Sequence, residues 1–319
     1  MEEKKLDNNI PLVSVVITTY KRHDYLQRAI SSVLNQTYTN LEVIVVDDND
    51  EDSDYSKQVK ELIKQICVTD NRIKYVPMGK NSGACKARNK GIEISRGEYV
   101  NFLDDDDEFK PEKIELQVKK YLDLKDEHIT IGCFAEIKNE NGKIIQYDRN
   151  RVNGDVFFEN LCTSICQTSL PLFRKDLLIQ SGGFEEIPSS QEHLMMARLF
   201  DICPYYDYVD KELVTIYHHS GERISNGEKK VQGAIELVER FKRFYYKISD
   251  EQIREVTFAT VENVVNAFLL KNDRKSAWNY YKKNSNCFNV DRKIKTIIKI
   301  ICGGRGMKCI FVVRTMIRR

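Results

Sequence analysis

Three apolar runs, VSVVIT at 13–18, LEVIVV at 41–46 and YVNFL at 99–103, alternate with stretches whose apolar residues recur at helical spacing. This alternation constrains the fold more than any other feature. Runs this short and this continuously apolar read as strands of a sheet covered on both faces. Between the first two, Leu26, Ala29, Ile30, Val33 and Leu34 mark one helix face, with Asp24 as the expected N-cap. Residues 55–66 and 83–95 read as further helices and 73–76 as a short strand. The pattern predicts an α/β fold: a mostly parallel sheet flanked by helices. Right-handed crossovers align the carboxyl ends of its strands along one edge.

The periodicity changes after residue 110. Pro111 is expected at the first position of a helix over 112–124. Residues 130–138 and 143–147 flank Asn141-Gly142 and read as a hairpin. A helix is expected over 189–201 and short strands over 206–217, then helices over 228–247, 250–271 and 273–283. The expected division is an α/β domain over 1–225, a helical extension over 226–290 and a basic amphipathic tail over 291–319.

Charge narrows the class of partner. Lys plus Arg total 50 and Asp plus Glu 48 in 319 residues, a net of +2. No overall field favours nucleic acid, and no nucleic-acid partner is expected. The near-neutral total conceals an asymmetry. Residues 291–319 hold nine Lys/Arg and one Asp, a net of +8, which leaves −6 for residues 1–290. Apolar residues interleave the tail, among them Ile297, Ile300, Ile310 and Phe311. Two readings of it stay open: a segment lying in an anionic membrane interface, or a basic terminal helix packed on the body. The first residues have no apolar core of the signal-peptide kind, and no run of about 18 apolar residues occurs, so neither a signal peptide nor a spanning segment is expected. The nine cysteines include no C-x-x-C pair and read as reduced thiols of a cytosolic protein.

The polar residues that follow the strands carry the chemistry. Thr19-Tyr20, Asp47-Asp48 and Asp104-Asp105-Asp106-Asp107 each stand at the end of an apolar run. In an open parallel sheet, ligands bind in the crevice beyond those ends. Asp runs repel themselves, and a cation relieves the repulsion. Hard oxygen ligands suit Mg²⁺ or Mn²⁺, which bridge carboxylates to phosphates, so a nucleoside diphosphate is the natural ligand. The plainer readings are a turn or cap cluster at Asp47-Asp48 and a solvated acidic loop at 104–107. No G-x-x-x-x-G-K-[ST] occurs, and Thr19-Tyr20-Lys21-Arg22 stands where G-x-G-x-x-G would follow the first strand. Both absences argue against P-loop NTPases and NAD enzymes.

VSVVITTYKR, LEVIVVDDNDED and NSGACKARNKGIEISRGEYVNFLDDDDEFKPEKIELQ together resemble family 2 glycosyltransferases of the GT-A fold, over roughly residues 12–118. A weaker likeness continues through Gly182-Gly183-Phe184-Glu185-Glu186 and Ser190-Gln191-Glu192-His193 to Arg198. The resemblance implies an inverting transfer of a sugar from a nucleotide-sugar, a UDP-sugar first, assisted by Mn²⁺ or Mg²⁺. It implies that Thr19, Tyr20 and one of Asp47 or Asp48 contact nucleobase and ribose. Asn81, Ser82, Gly83 and Arg88 border the nucleotide, although Arg88 also reads as a surface helix charge. Asp104-Asp105-Asp106 becomes the D-x-D motif, with Asp106 the most direct metal ligand and Asp104 at ribose or metal-bound water. Asp105 and Asp107 stay open as alternatives in that run.

Glu192 matches the family's catalytic base, with Glu185 and Glu186 as fallbacks. An inverting transfer needs a base for the acceptor hydroxyl. The family's later Leu falls one place earlier here, and a Glu at a helix start also complements the helix dipole. His218, His219 and Arg223 match a loop that closes over the diphosphate, the histidines as metal or phosphate contacts; a polar surface loop is the plainer reading. The implied context is bacterial surface polysaccharide synthesis, with a saccharide or lipid-linked acceptor at the inner face of the cell membrane. The alternatives are a non-catalytic nucleotide-sugar-binding protein and a nucleotidyltransferase, whose usual Gly-rich basic loop is missing after Thr18.

Overall fold

The computed structural model describes residues 10–124, 129–218, 227–286 and 288–302. The chain divides into two compact units. The first comprises Met1–Val156, Ile165–Glu185 and Arg198–Ser220; the second comprises Phe157–Ser164, Glu186–Ala197 and Gly221–Arg319.

The expected alternation opens the first unit: β1 (Val13–Thr19), α1 (Leu26–Leu34), β2 (Leu41–Asp47), α2 (Asp54–Cys67), β3 (Ile73–Pro77), α3 (Ala84–Ile94) and β4 (Tyr99–Asp104). β1 and β2 are buried along almost their whole length, as two-face burial of an apolar run requires. After β4 come β5 (Glu108–Phe109), α4 (Lys113–Leu124), β6 (Ile129–Asn139), β7 (Ile144–Asp148) and β8 (Gly154–Asp155). Then follow α5 (Phe157–Cys162), β9 (Leu172–Arg174), α6 (Lys175–Gln180), α7 (Gln191–Ile202) and β10 (Tyr205–His218). The sheet runs β3-β2-β1-β4-β9-β6-β10-β5, with β7 paired to β6 and β8 to β10. Its first four strands are parallel. β9 breaks the run, antiparallel to both β4 and β6. This is the expected α/β arrangement, its sheet parallel over β3-β2-β1-β4 and β6-β10 and antiparallel at β9, β5, β7 and β8.

Register sets the site. Thr19 lies opposite Asp47, and Thr18 opposite Asp104, so the carboxyl ends of β2, β1 and β4 finish side by side. Asp24 is not the cap of α1. Tyr25 holds that position without a side-chain capping bond, and Asp24 pairs with His23 at 3.0 Å. Pro111 stands two residues before the first helical residue of α4 rather than at it.

One lysine lies in the core of this unit. Lys113 is fully buried; its Nζ donates to Gln117 Oε1 at 2.7 Å and sits 4.2 Å from the centre of the Phe109 ring. Gln117 in turn donates to the carbonyls of Ile131 and Leu170. Burial lowers the Lys113 pKa to about 8.

In the second unit, α8 (Glu228–Phe241), a 3-10 turn (Lys242–Lys247), α9 (Asp250–Leu270) and α10 (Arg274–Asn284) precede a helix over 290–302, here α11. Ser249 and Gln252 form a reciprocal capping box at the start of α9. Val261, Val265 and Leu269 of α9 pack with Ala277 and Tyr281 of α10, Phe288, and Ile300 of α11. The opening part of the basic tail is therefore a helix packed on its unit, and residues 303–319 lie outside the described residues.

Candidate active site

The four carboxylates after β4 divide into two pairs. Asp105 is buried and accepts from Thr19 Oγ1 at 2.7 Å; Asp107 is buried and accepts from the Tyr217 amide at 3.0 Å. Burial, with Asp106 adding to it and the Thr19 bond opposing, pushes the Asp105 pKa up to about 7. Burial and then the charges of Asp104 and Asp106 raise that of Asp107 well above the usual carboxylate range. Asp104 and Asp106 instead meet guanidinium groups. Arg88 Nη2 bonds Asp104 Oδ1 at 3.0 Å, and Arg22 Nη1 bonds Asp106 Oδ2 at 2.5 Å. Alternation thus buries every second carboxylate of the run and leaves Asp104 and Asp106 half-buried, although Arg22 also lies 3.8 Å from Asp105.

Arg88 is not a surface charge. It is buried on α3, 5.3 Å from the centre of the Phe184 ring. The adjacent Asn89 ties this helix to the same segment by two bonds with the Phe184 backbone, each 2.8 Å. Arg28 of α1 stacks on Tyr217 at 3.8 Å, pairs with Glu108 at 3.1 Å and donates to the Asp106 carbonyl at 2.6 Å. Arg22, Arg28 and Tyr217 carried no role in the sequence reading. The available signal was an Arg at the end of β1, facing a strand that ends in four Asp.

On the other side of β1, the loop after β3 wraps a carboxylate. Ser82 and Gly83 amides donate to Asp48 Oδ1 and Oδ2 at 2.7 and 2.9 Å. Gly83 has φ +92°, a backbone that a side chain would strain, and it starts α3. Burial raises the Asp48 pKa against the pull of those two amides. The Asn81 amide donates to Asp50 at 3.1 Å. Asp47 is fully buried and accepts from the Asn49 amide and side chain, the Ser56 hydroxyl and the Tyr75 phenol. It braces the loop, whereas Tyr20 is exposed beside it. His218 is exposed at the end of β10, next to Tyr217; His219 and Arg223 lie outside the described residues.

Glu192 belongs to the second unit, in the first turn of α7. Its helix start is clamped from two sides. The His193 ring contacts the Asn160 carbonyl of α5 and stands edge-on to Phe241 of α8, 5.0 Å between centres. Ser189 packs on Gly233 of α8 so closely that a Cβ there would lie 2.5 Å from the Ser189 amide nitrogen. Ser190 then takes φ +63°, and its carbonyl accepts from the Leu194 amide at 3.2 Å. Burial drives the His193 pKa down to about 4, so its ring is neutral at pH 7. Of the fallback carboxylates, Glu185 pairs with Arg198 at 3.6 Å in the first unit, and Glu186 is exposed in the second.

Among the described residues, no group of three or more His, Cys, Asp or Glu is arranged to hold a metal by itself. A divalent ion carried on a diphosphate needs only one or two protein carboxylates. Asp104 and Asp106, the two carboxylates of the run that are not buried, match that number.

A parallel sheet whose strand ends gather carboxylates and a Gly-started helix offers a ligand-binding crevice at that edge. The profile of "Glycosyl transferase family 2" matches residues 14–182, and the chain belongs to that family and carries its GT-A enzyme domain. TuaG of Bacillus subtilis (strain 168), a glycosyltransferase assigned to teichuronic acid biosynthesis, is 40% identical over 109 residues, 34% of this chain and 41% of TuaG. WcaA of Escherichia coli (strain K12), assigned to colanic acid biosynthesis, is 27% identical over 252 residues, 76% of this chain and 83% of WcaA. The crystal structure of S. aureus TarS 1–349 in complex with UDP-GlcNAc superposes with a TM-score of 0.58 at 19% identity, over 84% of this chain and 89% of that one. That likeness is one of fold. The matches span 24%, 41% and 28% of the length of three of the curated relatives.

Proposed function

We propose that the chain transfers a sugar from a UDP-sugar, with inversion, to a hydroxyl of a saccharide or lipid-linked saccharide in the synthesis of a bacterial surface polysaccharide. The observation that carries this reading is the pairing of Asp104 with Arg88 and of Asp106 with Arg22 at the ends of neighbouring parallel strands. Asp48, with the Ser82-Gly83 loop it holds, and Thr19-Tyr20 form the nucleoside side of the site. Asp104 and Asp106 would hold Mn²⁺ or Mg²⁺ where the donor diphosphate binds. A bound divalent ion supplies charge to offset what builds on the leaving diphosphate. Arg88 and Arg22 balance the two carboxylates and sit where phosphate oxygens are recognised. Glu192 takes the proton from the acceptor hydroxyl as its oxygen forms the new bond to the anomeric carbon. The bond from that carbon to the diphosphate breaks, and UDP leaves.

No helix among the described residues is long and apolar enough to cross a membrane. The proposed place of action is the cytoplasmic face of the cell membrane, reached through the basic segment 291–319. The test is a panel of UDP-sugars with Mn²⁺, read as UDP release with and without a chelator. Release with one donor, abolished by the chelator, is expected. Tight UDP binding with no turnover of any donor, in the presence of saccharide acceptors, refutes the transferase reading and supports a binding protein.

A further inference from the structure

Helix α11 carries one broad apolar arc, buried at one edge and exposed along the rest. Ile300 enters the core of the helical unit, and Ile297 packs against that core. Arg292 and Lys299 fasten the same helix to α9 through Glu255 and Glu262, the second pair at 2.6 Å. The arc continues past Ile297 through Val290, Ile294, Ile298 and Ile301, exposed at 70%, 50%, 46% and 65%. The spacing i, i+4, i+8, i+11 gathers these four within about 80° of the helix surface. A helix that buries one face on a globular body normally turns polar residues outward. Here the outward strip is aliphatic, and four such residues in line mark a contact surface.

The charge around the strip selects the partner. Exposed Lys295 lies on the same helix. Directly after α11, residues 303–319 add five Lys/Arg and no acidic residue, with Ile310, Phe311, Val312, Val313, Met316 and Ile317 among them. The partner must accept aliphatic side chains and complement the excess of basic residues in this part of the chain at once. An anionic bilayer interface offers acyl boundary and negative headgroups at adjacent depths.

We infer that α11 is a docking face for an anionic phospholipid surface. Val290, Ile294, Ile298 and Ile301 enter the acyl boundary, and exposed Lys295, which is not held by α9, meets the headgroups. This rests on the proposed membrane location and deepens it by naming the face that touches the lipid. The α9 contacts made by Arg292 and Lys299 hold the strip outward instead of leaving it free to bury itself.

The test uses the full 319-residue chain. Flotation with phosphatidylglycerol–phosphatidylcholine vesicles is compared with phosphatidylcholine alone, for wild type and for Ile294→Asp/Ile298→Asp. Wild type is expected to float with the anionic vesicles and to release as salt rises. The double variant is expected to lose about tenfold or more of that partitioning, with unchanged melting temperature and unchanged mass by light scattering. Equal binding by the variant overturns the docking face and leaves the membrane location standing. Failure of wild type to bind any anionic vesicle overturns both. A melting temperature several degrees lower shows the strip covered by the chain itself, and a wild-type dimer split by the variant shows a second copy there; either overturns the inference.

Discussion

Gly233→Ala reaches the proposed base without touching substrate. A Cβ at 233 would stand 2.2 Å from the Ser189 hydroxyl, 2.5 Å from its amide nitrogen and 2.8 Å from its carbonyl oxygen. The hydroxyl can rotate away, but the amide and carbonyl belong to the backbone. An ordinary contact of about 3.5 Å therefore needs a withdrawal on the order of 1 Å. Ser189 is buried, and Ser190 beside it already holds φ +63°, so the turn has little freedom to absorb the shift locally. The displacement passes to Gln191 and Glu192 at the start of α7. Misplacing a reacting group by about 1 Å costs on the order of a hundredfold in rate, or about 2.7 kcal/mol. Overpacking itself costs about 1–3 kcal/mol of stability. The assay is kcat for UDP-sugar turnover beside the Kd for UDP, measured by calorimetry at a temperature where the variant is folded. The expected result is a kcat down on the order of a hundredfold with UDP affinity within about threefold. A folded variant with kcat near wild type refutes the reasoning, as does an equal loss of UDP affinity.

Asp106→Asn should weaken Mn²⁺-dependent UDP binding on the order of tenfold, whereas Asp105→Asn, at a buried carboxyl already pushed toward neutrality, should change it by no more than about threefold. Titration calorimetry with and without Mn²⁺ checks both, and the reverse ranking would reject the assigned register. Lys113→Met should stabilise the protein at neutral pH. Above pH 10.5 the amine is neutral in both states; as pH falls from 10.5 to about 8 the unfolded chain takes a proton the folded chain refuses, so stability drops across that window and stays low below it. The full penalty is about 3 kcal/mol, and giving up the Gln117 bond returns about 1, a net gain of about 2 kcal/mol at pH 7. Urea melts at pH 7 and 10.5 measure this; an advantage that stays constant with pH contradicts it.

The fold was legible where residues repeat with a period. β1, β2 and β4 emerge from continuous apolar runs, and the β6–β7 hairpin from Asn141-Gly142. β9 is three residues long and carries no period, yet it joins β4 to β6. β10 read as several short strands because its polar centre, Asp210-Lys211-Glu212, coincides with irregular register against β6. In the site, the gathering of Thr19, Asp48 and Asp104–Asp107 followed from the sheet rule. Which carboxylates stay out of the core did not, because the buried pair is chosen by distant partners. Asp107 is held by the amide of Tyr217, 110 residues on, and Asp105 by Thr19, 86 residues back. Arg88 looked like any helix-surface cation until Phe184 covered it. The tail showed its charge plainly, but only the packing of Ile300 separated the buried edge of the α11 arc from its exposed part.

The most direct measurement of the central claim compares wild type with Glu192→Gln. The amide keeps the size of the side chain and removes its ability to take a proton. With the UDP-sugar and acceptor that wild type turns over, transfer should fall on the order of a thousandfold or more, while Mn²⁺-dependent UDP affinity stays within about twofold. An active Glu192→Gln enzyme would contradict the assignment of the base.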